Sequence, residues 1–263
     1  MNILFIGDIV GKAGRRALRR FLPQLQDEAE AQLTVVNAEN AAGGFGVTAG
    51  VLEELLEKSE IDVLTSGNHI WDKREALELI QTEPRLLRPQ NYPLGTPGSG
   101  WVVATGSNGV QVGVLNIMGT VFMHPTLDCP FHCADAILEK KPANVKVVLV
   151  DFHAEATSEK VAMGWYLDGR VSGVVGTHTH IPTADERVLP GGTAHISDVG
   201  MTGCYNSVIG METSGVLKRF VERVPARFEV ASGPASVCGV VIDIDETTGT
   251  SRGIARVRAD EKG

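Results

Sequence analysis

The sequence predicts an α/β fold of mixed sheets with helices on the outside. Three observations predict it. Strand and helix patterns alternate through the first third of the chain, hairpins dominate the rest, and the 263 residues contain no linker, internal repeat or low-complexity tract. That length fits one large domain, residues 1–263, better than two ordinary ones.

The elements follow in order. Asn2–Ile6 is a short apolar run and reads as a buried strand. Residues 15–30 read as a helix, and residues 33–36 as a second strand that runs into Asn37-Ala38-Glu39-Asn40. A glycine-rich loop, Ala42-Gly43-Gly44-Phe45-Gly46, separates that strand from a helix capped by Thr48 and running to about Lys58. Residues 62–65 form a third strand, followed by Ser66-Gly67-Asn68-His69 and a helix over 72–80. Trp101–Thr105 and residues 110–115 flank Gly106-Ser107-Asn108-Gly109, a hairpin by its Asn-Gly turn and its alternation. Residues 145–150 are an apolar strand leading into Asp151-Phe152-His153; a helix over 158–167 and a strand over 171–175 come next. Residues 188–196, around Pro190-Gly191-Gly192, make a second hairpin, and Ser236–Ile244 with 253–258 a third.

Composition narrows the function classes. With 43% hydrophobic and 21% charged residues the chain is an ordinary water-soluble globular sequence. A net charge of −8 argues against stable gripping of a nucleic-acid backbone, but not against a small nucleotide, since bound cations would dominate the local field. Asp8 comes too early for a secretory core, and no apolar run is long enough to span a bilayer. Cys129, Cys133, Cys204 and Cys238 lack disulfide-framework spacing and read as reduced, mostly buried thiols of a cytoplasmic protein. Homo-oligomer formation is left open.

The chemistry concentrates at strand ends. In Gly176-Thr177-His178-Thr179-His180, two histidines one residue apart leave an apolar strand, so extended chain would aim both imidazoles at one spot. Asp8, Glu39 with Asn40, Asn68 with His69, and His153 occupy the same kind of position after other strands. Each alone has an ordinary structural reading as a turn or hydrogen-bonded residue. Five such segments together describe a crevice at the carboxyl ends of the strands, where open α/β sheets bind ligands. The donors are nitrogen and oxygen without thiolate, which suits manganese, iron or zinc. They are too many for one tetrahedral ion, and two ions bridged by a carboxylate would use them all, as in two-metal phosphate-ester cleavage.

In this order, Asp8, Asn68-His69, His153 and Gly176-Thr177-His178-Thr179-His180 resemble the motifs of calcineurin-like metallophosphoesterases. The closer resemblance is to the YmdB-like branch of bacterial phosphodiesterases, over the full length. Where the wider superfamily begins Asp-x-His and bridges its metals with aspartate, this chain has Val10 and Glu39, as that branch is expected to have. The resemblance implies a four-layer αββα sandwich and two metal ions per chain, divalent or mixed-valence, iron or manganese before zinc. It assigns Asp8, Asn40 and His180 to the first metal, Asn68, His153 and His178 to the second, and Glu39 to both. It implies that a bridging water attacks a phosphodiester, such as a 2′,3′-cyclic nucleotide, with His69 as general acid. A phosphomonoesterase is the alternative within the class, and a regulatory partner platform the alternative outside it. A metal amidohydrolase would carry its His-x-His after the first strand, where this chain has Asp8.

Other motifs carry less. Gly7 to Lys12 is one residue short of a phosphate loop, with Ala13 in place of Ser or Thr. Arg15, Arg16, Arg19 and Arg20 read as a solvated basic helix edge rather than an RNA surface. Cys129-Pro-Phe-His132-Cys133 lacks the second cluster of a structural zinc site, and His124 and His195 have no partner pattern.

Overall fold

Alternate residues of the first strand, Asn2–Ile6 (β1), point to opposite faces, and both faces are buried. Leu4 and Ile6 join one apolar cluster, Ile3 and Phe5 another. That pattern requires a sheet covered on both sides. The computed structural model describes residues 1–262.

After β1 come β2 (Asp8–Ile9), α1 (Gly11–Glu28), β3 (Ala31–Asn37), α2 (Ala49–Leu56), β4 (Val63–Thr65), α3 (Ala76–Thr82), β5 (Trp101–Thr105) and β6 (Gln111–Met118). The second half runs α4 (Pro130–Lys140), β7 (Val147–His153), α5 (Thr157–Tyr166), β8 (Gly173–Thr177), β9 (Arg187–Val188), β10 (Ala194–Ile196), β11 (Met201–Thr202), α6 (Thr213–Glu222), β12 (Ser236–Ile244) and β13 (Ser251–Asp260).

Two mixed sheets form. The first has the order β13-β12-β1-β3-β4, with β1, β3 and β4 parallel and the β12–β13 hairpin antiparallel at one side. The second has the order β5-β6-β7-β8-β10-β9, parallel from β6 to β10 and closed at each edge by an antiparallel partner. A two-residue parallel pair, β2 with β11, stands apart and sets Met201 opposite Asp8.

The layers follow from the alternation. One face of the first sheet packs on Ala17, Leu18 and Leu22 of α1 and Leu52 and Leu55 of α2. Its other face, with Phe5 and Val35, meets Val112, Val114, Val147 and Leu149 of the second sheet. The far face of the second sheet, with Leu115, Val148, Val150 and Phe152, packs on Ala134 of α4 and Met163 of α5. The fold is therefore an αββα sandwich. Each Val, Leu, Phe or Met side chain among these contributes about 1.5–3 kcal/mol by leaving water.

Local departures from expectation have local causes. The first helix begins at Gly11, not at 15; Gly11 and Gly14 depress helix propensity, yet a Cβ on Gly14 would overlap the Thr202 carbonyl oxygen. Thr48 occupies the N-cap of α2 in extended conformation, but its side chain makes no cap bond; the Ala49 N–H is satisfied by Glu75 Oε2 at 2.9 Å. The helix expected over 72–80 starts only at Ala76, because residues 67–75 turn to present the His69 segment. Helices α4 and α6 and the pair β2–β11 go beyond the sequence reading.

Candidate metal centre

The parallel strands β1, β3 and β4 of one sheet and β7 and β8 of the other all end at one edge of the sandwich. A buried polar layer joins the two sheets there. Asp151 accepts hydrogen bonds from Asn37 Nδ2 (3.1 Å), Thr177 Oγ1 (2.7 Å) and the Thr65 hydroxyl. The Ser66 N–H donates to Asn116 Oδ1 at 3.0 Å. Burial pushes the Asp151 carboxyl up to about 6, against the pull of His153.

Above this layer two groups of donor atoms form. Asp8, Glu39 and His180 make one, and Glu39, His153 and His178 the other; within each, one donor atom per residue lies within 4.8 Å of the rest. Glu39 belongs to both. Asn40 joins the first group, its Nδ2 3.1 Å from Glu39 Oε1 and 3.2 Å from His180 Nε2. Asn68 joins the second, its Oδ1 3.0 Å from His153 Nε2. All seven ligand candidates thus converge. Gly67 permits the approach, since a Cβ there would overlap the His153 ring and stand 2.5 Å from Glu39 Oε2. Gly67→Ala is therefore expected to displace His153 and weaken metal binding at least tenfold, as a calorimetric Mn²⁺ titration would read; wild-type affinity in that variant would contradict the crowding.

Each imidazole is oriented by its other nitrogen. His180 Nδ1–H donates to the Ile209 carbonyl at 2.8 Å, leaving Nε2 toward Asp8 Oδ1 at 3.8 Å. His153 Nδ1 meets Thr177 Oγ1 at 2.9 Å, and that hydroxyl donates onward to Asp151. His178 is reversed: Nε2–H faces Glu155 Oε2 at 3.1 Å, and Nδ1 faces His153 Nε2 at 3.0 Å. One nitrogen held by a protein partner and the other aimed inward is what metal-ligating histidines show.

The residues present fit a pair of cations. Asp8 Oδ1 and Asn40 Oδ1 are buried acceptors without a hydrogen-bond partner among the described residues. Buried oxygens so placed are costly unless a cation or donor meets them. The donor set is carboxylate, amide and imidazole, which suits hard to borderline divalent ions.

The electrostatics agree. Burial pushes Asp8 above the usual carboxylate range, against the pull of His180 and His153. Burial works in the same sense on Glu39, but the charge and hydrogen bond of His153 hold it well below that range. Burial opposes the charge on His153, yet Glu39 raises it to about 9; burial and the neighbouring His153 push His178 down to about 3. At neutral pH His153 therefore holds a proton that a cation must displace. Mn²⁺ binding at pH 7 is expected to release about one proton per chain, and affinity to rise with pH until about 9. Calorimetry in two buffers of different ionisation enthalpy reads this directly, and no proton release would contradict it.

His69 stands beside these groups. Its backbone N–H donates to Glu39 Oε2 at 3.2 Å, while its ring turns away to Asp72 Oδ2, 2.7 Å from Nδ1. The side chain is 29% exposed and packs edge-on against Phe45, ring centres 4.9 Å apart. Nε2 makes no hydrogen bond among the described residues. Asp72, Glu155, Thr177 and Asp151 go beyond the sequence reading; only His69-x-x-Asp72 offered a local signal, a carboxylate three residues on.

The weaker candidates lie elsewhere. His124 and His132 are exposed and outside both donor groups, and Cys129 and Cys133 join no metal-ligand cluster among the described residues. The four cysteines are free; Cys204 and Cys238 are buried and Cys133 half-buried, while Cys129, just before α4, is exposed. Arg15 pairs with Glu54 at 3.0 Å and Arg16 with Glu261 at 2.6 Å, so much of the basic edge is already neutralised.

Comparison with known proteins agrees with this geometry. The model of the YmdB-like protein family matches residues 4–257. A curated protein of Bacillus subtilis strain 168, named 2′,3′-cyclic-nucleotide 2′-phosphodiesterase, is 47% identical over 98% of this chain and 96% of its own. A crystal structure of a hypothetical protein from Thermus thermophilus superposes with a TM-score of 0.93 at 41% identity, covering 100% of both chains. A calcineurin-like phosphoesterase from Bacillus subtilis shares the fold at 12% identity, with a TM-score of 0.50 over 99% of this chain and 90% of that one.

Proposed function

The chain belongs to the YmdB-like protein family, and on that premise we propose that it hydrolyses phosphate diesters, 2′,3′-cyclic nucleotides above all, at a dinuclear metal centre. The observation that carries the reading is the membership of Glu39 in both donor groups. A single carboxylate shared by two clusters is the arrangement that two-metal phosphoester hydrolysis needs. The 47% identity to a 2′,3′-cyclic-nucleotide phosphodiesterase supports the substrate class.

Asp8, Asn40 and His180 would hold one cation, Asn68, His153 and His178 the other, and Glu39 both. When bound, the cations supply the charge that polarises the phosphoryl group and acidifies the attacking water. The chain supplies the rest. In a cyclic phosphate the P–O bond to one ribose oxygen breaks, and its electron pair stays on that oxygen. His69 Nε2–H gives that oxygen its proton, and Asp72, 2.7 Å from Nδ1, orients the ring. Phe45 covers one edge of the same ring.

The donor set, imidazole and carboxylate without thiolate, supports iron or manganese before zinc. The free cysteines support a reducing cytoplasm. No helix among the described residues is long and apolar enough to cross a membrane. The three apolar clusters draw on strands from β1 to β13, which supports a single catalytic domain. The test compares 2′,3′-cyclic AMP with a phosphomonoester at neutral pH. At least about tenfold higher kcat/KM for the diester is expected; preference for the monoester would favour a phosphomonoesterase instead.

A further inference from the structure

His178 and His180 both lie at positive φ, +99° and +67°, in the region that disfavours side chains other than glycine. Something must hold the turn that aims them. The residue between them is held by one buried carboxylate: Asp198 Oδ2 accepts from the Thr179 N–H at 3.0 Å and from its hydroxyl at 2.8 Å. Lys160 Nζ, from α5, donates to the same oxygen at 2.6 Å, and the Gly200 N–H donates to Oδ1 at 2.8 Å. Both charged side chains are out of solvent, 2% and 1% exposed.

The Asp198 segment also reaches the other ligands. Three residues on, the Met201 N–H donates to the His180 carbonyl at 3.1 Å, and Met201 pairs with Asp8 through β11 and β2. The Val199 N–H donates to the Gly176 carbonyl at 3.0 Å. One segment therefore touches the backbone of His180 and Asp8 and, through Thr179, the turn that carries His178. A buried ion pair is a poor source of stability, since apolar residues of the same volume serve as well or better. Position explains its presence better than stability does.

We propose that Lys160 and Asp198 are positioning residues for the dinuclear centre: through Thr179 they hold His178 and His180 in the conformations that place one imidazole on each metal. This rests on the reading of those histidines as ligands. Lys160 offsets the buried charge of Asp198 through its 2.6 Å bond, and Asp198 supplies the acceptor that Thr179 needs.

Two double variants separate position from stability. Both K160M/D198N and K160M/D198A remove the buried charges, but only the first keeps a side-chain oxygen for Thr179. Metal-free protein is titrated with Mn²⁺ by calorimetry, with thermal unfolding followed on the same samples. K160M/D198N is expected to stay within about threefold of wild-type affinity, and K160M/D198A to lose at least about tenfold at both metals while remaining folded. Equal affinity in the two double variants would overturn the proposal. Should K160M/D198A not fold, Thr179→Val, which exchanges the hydroxyl for a methyl group, carries the test: weakened metal binding is expected, and unchanged binding would overturn it. His180→Ala is titrated alongside. Wild-type affinity in that variant would remove the ligand reading itself, whereas weakened binding there with full affinity in K160M/D198A would remove only the brace.

Discussion

Replacing Glu39 with glutamine is expected to lower kcat/KM for 2′,3′-cyclic AMP by about three orders of magnitude or more, and to reduce metal content below two ions per chain. Glu39 is the one side chain common to both donor groups, so this substitution changes the ligand set of both metals at once. Glutamine keeps the shape and can still accept the His69 N–H, but it brings an NH₂ among the donors and removes the charge that balances His153. The same loss of charge should return His153 toward its ordinary pKa, so the proton released on Mn²⁺ binding should diminish. Metal analysis after gel filtration, with steady-state kinetics on the same preparation, measures both effects. A glutamine variant with two metals and near-normal turnover would remove Glu39 from the bridge.

Replacing His69 with alanine is expected to do something different. Metal content should stay at the wild-type level, because the ring points to Asp72 and solvent rather than into either donor group. Turnover of the cyclic nucleotide should fall by about 10²–10⁴-fold, the range for loss of a positioned general acid. A diester whose leaving group departs without a proton, such as one that releases p-nitrophenolate, should lose far less. Asp72→Asn should reproduce the pattern in weaker form, since it only orients the ring. Equal losses for both leaving groups would argue against proton donation by His69.

Much of this was legible in the sequence because strand ends are legible. Apolar runs such as Asn2–Ile6 mark strands, and the first polar residues after them mark the carboxyl edge. Asp8, Glu39, Asn40, Asn68, His153, His178 and His180 all stand in such positions, and the structure brings all of them together. The hairpins β5–β6 and β12–β13 were legible through alternation and turn residues.

What stayed hidden depends on contacts between distant segments. Asp198 looks like any loop carboxylate until Lys160 and Thr179 are beside it, 38 and 19 residues away along the chain. Two-residue strands such as β2 and β11 have no pattern of their own and exist only through each other. Asp72 reads as the start of a helix in the sequence, yet it lies in a turn whose carboxylate serves His69, with the helix delayed to Ala76. The histidine pair reads as extended chain with both rings on one side. The positive φ values of His178 and His180 show a bent segment instead, and they present Nδ1 of one ring and Nε2 of the other. Local propensity cannot disclose a strained turn that a buried carboxylate holds.

The most direct test is a metal count paired with turnover. Protein purified without added metal is analysed for iron, manganese and zinc, stripped with a chelator, and then titrated back while cyclic-nucleotide hydrolysis is followed. About two metal ions per chain, activity lost on stripping and full recovery only at about two equivalents are predicted. Full activity with fewer than about two ions per chain, or undiminished by stripping, would contradict the dinuclear centre.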